Sequence, residues 1–584
     1  MKLLQFSRAN RTHLLAVATL LVMAVFVVRL FYLQIIQHDL YANLANQEQV
    51  RQLDLPAVRG EIYAMDGDTP VKLALNETVY TVWADPHVVE EPDAIVRVVE
   101  KEAGDESVDD MRALFDNTES RYAVLARNVT SAQAKAIKAE ELYGVGFTAG
   151  VRRVYPEGQL ASQVLGFVNA DGKGQYGVEG ALDEQLKGQD GVLKTVVDVR
   201  DVPLTIGSDN VNVPAEDGDN IVLTIDRNVQ NAAEEILATQ LKKIGATQGS
   251  LLVMDPNTGD VLAMANYPTY DPSNLSSVKD VALFNNPIIS HPYEPASVIK
   301  TVDFSTAIDK GAITPKSTYI NTGQIQVEDR VINNASKPAS LMGEIDMQTA
   351  LNWSFNTGAV TAAKRLGKDK DTIDSTARNI LYEYYHDRFH LGQLTGIELQ
   401  GEAPGTVVPP TDVQGNAVRY ANMTFGQGLD VTTLQTAAAF SAIINGGVYH
   451  PPTVVAGTID ENGDFTAAEE KETNQAISAS TSATMREMIH VARQQFGYNN
   501  QDPAGYYIGG KTGTAQTVEN GEYTFDQQTG TYAGFGGTPG EKPAYVAMAF
   551  VAKPDTQLGG QDAKVVFDPM SNWMINYLKL APKG

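Results

Sequence analysis

Pro295-Ala296-Ser297-Val298-Ile299-Lys300 opens a run in which Val298, Ile299, Val302, Ala307 and Ile308 are apolar and Gly311 follows. Proline near a first turn and glycine past the end are helix boundary signals, so the spacing predicts a buried helix with Ser297 in its first turn. Lys300 lies three residues on and shares that face. A hydroxyl there feels the positive end of the helix dipole, and an amine is within reach to take its proton. Ser354-Phe355-Asn356 and Lys511-Thr512-Gly513-Thr514 follow in that order. Together the three stretches supply a nucleophile with a base, a polar pair to relay a proton and hold an amide, and a cationic strand edge to hold a carboxylate. That set fits acyl transfer through a serine ester.

The chain carries decoys. Ser276-Ser277-Val278-Lys279 repeats S-x-x-K and Ser208-Asp209-Asn210 is a literal S-D-N, whereas Lys511-Thr512-Gly513 is the only K-T-G. Ser276 follows the loop pattern Tyr270-Asp271-Pro272-Ser273-Asn274, with no apolar helix before Asn285-Asn286-Pro287, so it reads as solvated surface. Ser208 sits among Gly207, Asp217 and Gly218, ahead of both S-x-x-K candidates, and reads as a turn. Alone, Ser297 would be a helix-capping serine, Ser354 a helix-end serine and Lys511 a solvated strand lysine. The ordered trio outweighs those readings.

The 584 residues carry a formal charge of −26 with no basic stripe, which argues against a nucleic-acid partner. Absence of cysteine excludes disulfides, thiolate zinc sites and a cysteine nucleophile. His386 and His390 have i,i+4 spacing, but a lone pair in a Tyr-rich stretch is weak, so no metal or other cofactor is expected. Leu14 to Val28 is almost wholly apolar, and Leu30 to Ile36 extends it past Arg29. That is enough to span about 30 Å of hydrocarbon. Lys2, Arg8 and Arg11 precede it, which predicts a cytoplasmic N-terminus and an extracytoplasmic body. No small-x-small site follows the run, so an uncleaved anchor is expected rather than a signal peptide.

Residues 1–11 read as a tail, 12–36 as the anchor, 40–215 as a mixed polar domain and 216–584 as the catalytic domain. Thr78 to Ala84 reads as a strand, and Ser131 to Glu141 as a helix with a serine cap. Asn210 to Asn220 reads as a boundary, after which Ile221 to Ile225 opens the C-terminal domain. Ser250–Met254 and Val261–Ala265 form a hairpin pattern, Ala544–Ala552 a buried strand, and Asp568-Pro569 the cap of a last helix. Helical runs between strands predict an α+β fold, an antiparallel sheet covered by helices.

Around the trio stand Arg59-Gly60-Glu61-Ile62-Tyr63-Ala64-Met65-Asp66-Gly67, Arg153-Val154-Tyr155-Pro156, Gly177-Val178-Glu179-Gly180 and Asp255 to Met264. Tyr293-Glu294-Pro295, Thr395-Gly396-Ile397-Glu398-Leu399 and Phe425-Gly426-Gln427-Gly428 complete the pattern. Over almost its whole length the chain resembles a class B penicillin-binding protein, a bitopic D,D-transpeptidase of bacterial cell-wall synthesis. The resemblance implies a penicillin-binding/serine β-lactamase-like transpeptidase domain behind an elongated, dimerisation-like pedestal. It implies Ser297 as nucleophile, Lys300 as base, Ser354 as proton relay, and Asn356 as holder of the peptide amide and the lysine. Lys511 and Thr512, with Thr514 close by, would bind a carboxylate, Gly513 would let the peptide join the strand edge, and the backbone N–H groups of Ser297 and Thr514 would hold the oxyanion. The substrate would be stem peptides ending in D-Ala-D-Ala, with β-lactams as inhibitors. A SEDS-family glycan polymerase is the expected partner, because the chain has no second catalytic domain to make glycan.

Departures from the family pattern are Ala296 for glycine, Thr301 for proline, Ala64-Met65 for Asp-Arg and Gln400 for proline; none removes a catalytic side chain. Tyr80 to Pro86 resembles a segment of the division-type pedestal, which favours septal synthesis over elongation. The rival readings are a β-lactamase or carboxypeptidase with water as acceptor, a penicillin sensor, and a catalytically dispensable scaffold. The anchor and long pedestal argue against the first, and the single membrane span against the second.

Overall fold

The computed structural model describes residues 8–38, 50–196, 211–519 and 522–583. The chain forms two compact units, Met1–Arg59 with Lys187–Gly218, and Gly60–Leu186 with Asp219–Gly584. In the first, a helix over Arg8–Phe31 continues as a π-helical turn, Tyr32–Ile36. Its stretch Thr12–Ile36 is long and apolar enough to cross a membrane, and its large apolar side chains are exposed. The same unit holds a three-stranded antiparallel sheet of Val50–Leu55, Gly191–Val196 and Val211–Val213. The Ser208-Asp209-Asn210 turn reading falls outside the described residues.

The second unit contains a seven-stranded sheet. Strands β1 (Ile62–Asp66), β2 (Thr69–Ala84), β3 (Ala123–Thr130) and β4 (Val145–Val154) form one side of it. β5 (Asn220–Asp226) pairs parallel to β1 and antiparallel to Val455–Ile459. Chain segments from before and after residue 216 therefore share this sheet. Helix α1 (Pro92–Ala103) buries Ile95, Val99 and Ala103, a spacing of four that lays one stripe on the core. Helix α2 (Ser131–Ala139) corrects the expected serine cap: Thr130 is the cap, and its hydroxyl accepts from Gln133 N–H. A cap residue needs extended backbone, which Thr130 has at the end of β3, whereas Ser131 already lies in the helix.

Helix α3 (Arg227–Ile244) leads into a five-stranded antiparallel sheet of β6 (Gln248–Met254), β7 (Val261–Tyr267), β8 (Tyr507–Glu519), β9 (Glu522–Gly537) and β10 (Tyr545–Ala552), in spatial order β7-β6-β10-β9-β8. The hairpin pattern and the buried-strand pattern of the sequence are both here, as β6–β7 and β10. Alternation divides each central strand between two cores. Leu251, Val253, Ala547, Ala549 and Val551 pack under α3 and the last helix, while Leu252, Met254, Val546 and Met548 belong to the larger core. Both faces are thus dry, which is why β6 and β10 read as unbroken apolar runs. The larger core also holds α4 (Lys300–Asp309), α5 (Met347–Asn352), α6 (Asn356–Leu366), α7 (Thr433–Ile444) and the buried side of α8 (Ala479–Gln494). Every residue of α7 is buried, its polar Thr433, Gln435, Thr436 and Ser441 included.

The last helix, α9, runs Gly560–Tyr577 with Pro569 inside it, so Asp568-Pro569 is not its cap. The carboxylate of Asp568 is engaged elsewhere: it accepts from Arg493 at 2.8 Å and pairs with Lys564. Arg493 is 1% exposed and also takes Asp502 at 2.8 Å and the hydroxyl of Tyr532. This cluster ties the end of α8, the following loop, β9 and α9 together. Arg493→Met should lower stability by roughly 3 kcal/mol or more, since breaking a buried pair leaves carboxylates without their partner. Urea unfolding checks this, and a shift within 0.5 kcal/mol, about the effect of an ordinary surface substitution, would show the cluster is not structural.

Candidate active site

Ser297 lies on a 3-10 turn, Ala296–Ile299, that leads into α4, so the expected α-helical first turn is corrected to a tighter one. Ala296 sits at φ +51°, in the left-handed region where glycine is favoured. Its N–H donates to the carbonyl of Gly426 at 3.1 Å, and a Cβ on Gly426 would lie 2.0 Å from the Ala296 oxygen, so that glycine permits the approach. Ser354, in the loop between α5 and α6, is also left-handed at φ +56°. Lys511 stands on β8, the edge strand.

These segments converge. Lys300 Nζ is 2.8 Å from Ser297 Oγ, 2.6 Å from the Ser354 carbonyl oxygen, 3.1 Å from Ser354 Oγ and 2.8 Å from Asn356 Oδ1. Ser354 Oγ is in turn 3.0 Å from Lys511 Nζ. Asn356 Nδ2 donates to the Asn333 carbonyl at 2.9 Å. Ser297, Lys300, Ser354, Asn356 and Lys511 therefore form one hydrogen-bonded set. Ser276 is exposed, with its Oγ donating to Asn274 Oδ1 at 3.0 Å.

Thr512 and Thr514 alternate with Lys511 and Gly513 along β8 and so face the other way. They abut Gly559 and Gly560 at the start of α9, and Gly560 N–H donates to Thr514 Oγ1 at 3.0 Å. Gly513 has a packing reason of its own. A Cβ there would lie 2.2 Å from Thr531 Oγ1 and 2.9 Å from the Pro295 oxygen. Its missing side chain lets β8 approach the turn that carries Ser297, rather than clearing an outer edge. His386 and His390 make separate contacts, His386 Nδ1 with Asp387 at 2.8 Å and His390 Nε2 with Asn474 at 3.0 Å.

Burial decides the electrostatics. Lys300 is 1% exposed, and desolvation, then the charge of Lys511, holds its amine well below 10.5, with Asp303 opposing. Lys511 is lowered by burial to about 7. The repulsion between two ammonium groups is mutual. A neutral amine has two N–H donors and one lone pair. The Ser354 carbonyl and Asn356 Oδ1 can only accept, so they take both N–H groups, and the lone pair is left for the Ser297 O–H. Asp303, one turn along α4, is fully buried, and neither carboxyl oxygen has a hydrogen-bond partner; burial pushes its carboxyl well above the ordinary range, with Lys300 opposing.

Sequence reading missed Asp303 and the residues that hold Asn356. Asp303 interrupts the apolar run after Lys300. Asn333-Asn334 reads only as a turn. Gly513→Ala should slow acylation by penicillin and destabilise the fold by about 1–3 kcal/mol, the usual effect of overpacking. Stopped-flow acylation and urea unfolding measure the two, and a variant with wild-type values in both would remove the close approach from the account.

Two family descriptions match the chain, "Penicillin binding protein transpeptidase domain" over residues 249–572 and "Penicillin-binding Protein dimerisation domain" over 54–223. The chain is 31% identical to penicillin-binding protein PbpB of Mycolicibacterium smegmatis, covering 97% of this chain and 90% of that protein. It is 27% identical to peptidoglycan D,D-transpeptidase FtsI of Escherichia coli, covering 98% and 92%. Its structure is similar to that of penicillin-binding protein 3 from Mycobacterium tuberculosis in complex with aztreonam, with TM-score 0.67, 27% identity and coverage of 91% and 98%. A dimerisation domain ahead of a transpeptidase domain, on a chain with an N-terminal apolar helix, assigns the protein to the class B penicillin-binding proteins.

Proposed function

We propose that the chain is a peptidoglycan D,D-transpeptidase that works through an acyl-enzyme on Ser297. The observation that carries this reading is the desolvated amine of Lys300, 2.8 Å from Ser297 Oγ, with its N–H groups committed to pure acceptors. Ser297 Oγ attacks the carbonyl carbon of the penultimate D-alanine, and its proton passes to Lys300 Nζ. Backbone N–H groups of Ser297 and Thr514 hold the oxyanion. Collapse breaks the peptide C–N bond, and Lys300 returns the proton through Ser354 Oγ to the leaving D-alanine nitrogen. An amine of a neighbouring stem peptide then attacks the ester, forms the cross-link and restores the Ser297 hydroxyl. Asn356 Nδ2 keeps a second N–H for the substrate amide. A β-lactam enters the same path, and its ring opening leaves the acyl group on Ser297.

The chain's placement follows from the anchor. Thr12–Ile36 serves as a single membrane pass, with Lys2, Arg8 and Arg11 keeping the N-terminus cytoplasmic and the catalytic domain outside. Septal wall synthesis is the favoured setting. The glycan strand comes from a SEDS-family polymerase that docks on the anchor, where the Arg29 guanidinium lies 5.6 Å from the Tyr32 ring centre and a partner can satisfy it. Replacing residues 12–36 by an unrelated span should abolish co-purification with the polymerase, and full retention would reduce the anchor to a tether.

Lys511 takes the substrate's terminal carboxylate, and the side chains of Thr512 and Thr514, turned to the start of α9, do not share in it. Its depressed proton affinity fixes the pH dependence. Below about 7 the free enzyme carries the ammonium that a carboxylate needs; above it the ammonium is lost and capture weakens. The second-order acylation rate constant should therefore fall on the alkaline side with a midpoint near 7. Lys511→Ala should abolish that limb and slow acylation roughly a hundredfold, as for other electrostatic catalytic groups. A folded variant with the wild-type rate and profile would take Lys511 out of the site.

A further inference from the structure

The orientation of the Asn356 amide is imposed from outside its own helix. A backbone carbonyl can only accept, so the group facing the Asn333 carbonyl is Nδ2, and Oδ1 is turned to Lys300. Asn333 ends the hairpin Gln324–Val327/Arg330–Asn333, and the next residue, Asn334, is 4% exposed. Its Oδ1 accepts from Thr357 N–H at 3.0 Å, the second N–H of α6. That bond normally comes from a helix's own N-cap side chain, but here the cap residue is Phe355, which offers none. Asn334 Nδ2 donates to Asn321 Oδ1 at 3.1 Å, and Thr357 Oγ1 donates to the same oxygen at 3.2 Å. Tyr319 OH lies 2.9 Å from Thr357 Oγ1. All four side chains are buried, so each bond lacks a water competitor.

We propose that Asn334 is a positioning residue for acylation: its amide caps α6 from the hairpin and thereby fixes the Asn333 carbonyl that aims Asn356 at Lys300. The inference rests on the acyl-enzyme reading. A chain that penicillin never acylates would sink that reading, whereas normal acylation without the Asn334 amide sinks this one alone.

The test is a double-mutant cycle on the full chain, read as the second-order acylation rate constant for a fluorescent penicillin across pH. Asn334→Ala removes the cap, and a misaimed Asn356 should slow acylation roughly tenfold, in line with the effect of small misplacements in a site. An amide oxygen holds an ammonium better than an amine, so its loss should also move the acid limb of the profile to lower pH. In an Asn356→Ala background, Asn334→Ala should change almost nothing, because the group it aims is gone. Asn334→Asp keeps an acceptor for Thr357 N–H but loses the donor to Asn321 Oδ1, and should restore only part of the rate. Should Asn334→Ala fail to fold, the Asp variant carries the test in both backgrounds. Three results would each overturn the proposal. They are a full tenfold loss in the Asn356→Ala background, a wild-type rate and profile in Asn334→Ala, and a slowed Asn334→Ala with an unchanged acid limb.

Discussion

An amine without water around it is the constraint on which the site depends. Lys300 sits behind Ser297 in a position too buried to favour a charge, and among the described residues no carboxylate hydrogen-bonds to it. Asp303, one turn along the same helix, is itself buried without hydrogen-bond partners, and burial raises its carboxyl for the same reason. What remains is an amine whose contacts are a carbonyl, an amide oxygen and the Ser297 hydroxyl. A surface lysine at this spacing would be an ammonium with no affinity for the serine proton.

Keeping that amine dry is a task for the whole fold. The five-stranded sheet is covered on both faces, α4 runs through the larger core, and the fully buried α7 lies in the same core. The sheet still keeps an edge strand, the one that carries Lys511. β8 is that edge. Gly513 draws it against the turn of Ser297, and the two left-handed residues, Ala296 and Ser354, set the loops on either side. Strain at such positions persists because the packing around them leaves no alternative.

Much of this was legible in sequence. The ordered S-x-x-K, S-x-N and K-T-G pointed to five residues that the structure joins by hydrogen bonds. The apolar anchor, the β6–β7 hairpin and buried β10 followed from hydrophobic pattern alone. Other features depend on partners distant in the chain. Asp568-Pro569 reads as a cap until Arg493, seventy-five residues away, claims the carboxylate. Thr130 and Ser131 are equal candidates for a cap until the end of β3 fixes which is extended. Gly513 reads as clearance for a substrate until Pro295 appears beneath it. Asn334 has no local signature, because the N–H it takes, that of Thr357, is twenty-three residues along the chain.

The protonation state of Lys300 is the quantity the account leans on most. Lysine labelled with 13C at Cε, with the Lys300 signal assigned by its loss in Lys300→Arg, titrates that amine directly. The account predicts a midpoint well below the ordinary 10.5, with neutral amine present at the pH of catalysis. A signal that stays protonated until the pH nears 10.5 would contradict it, since Ser297 would then face an ammonium and have no base.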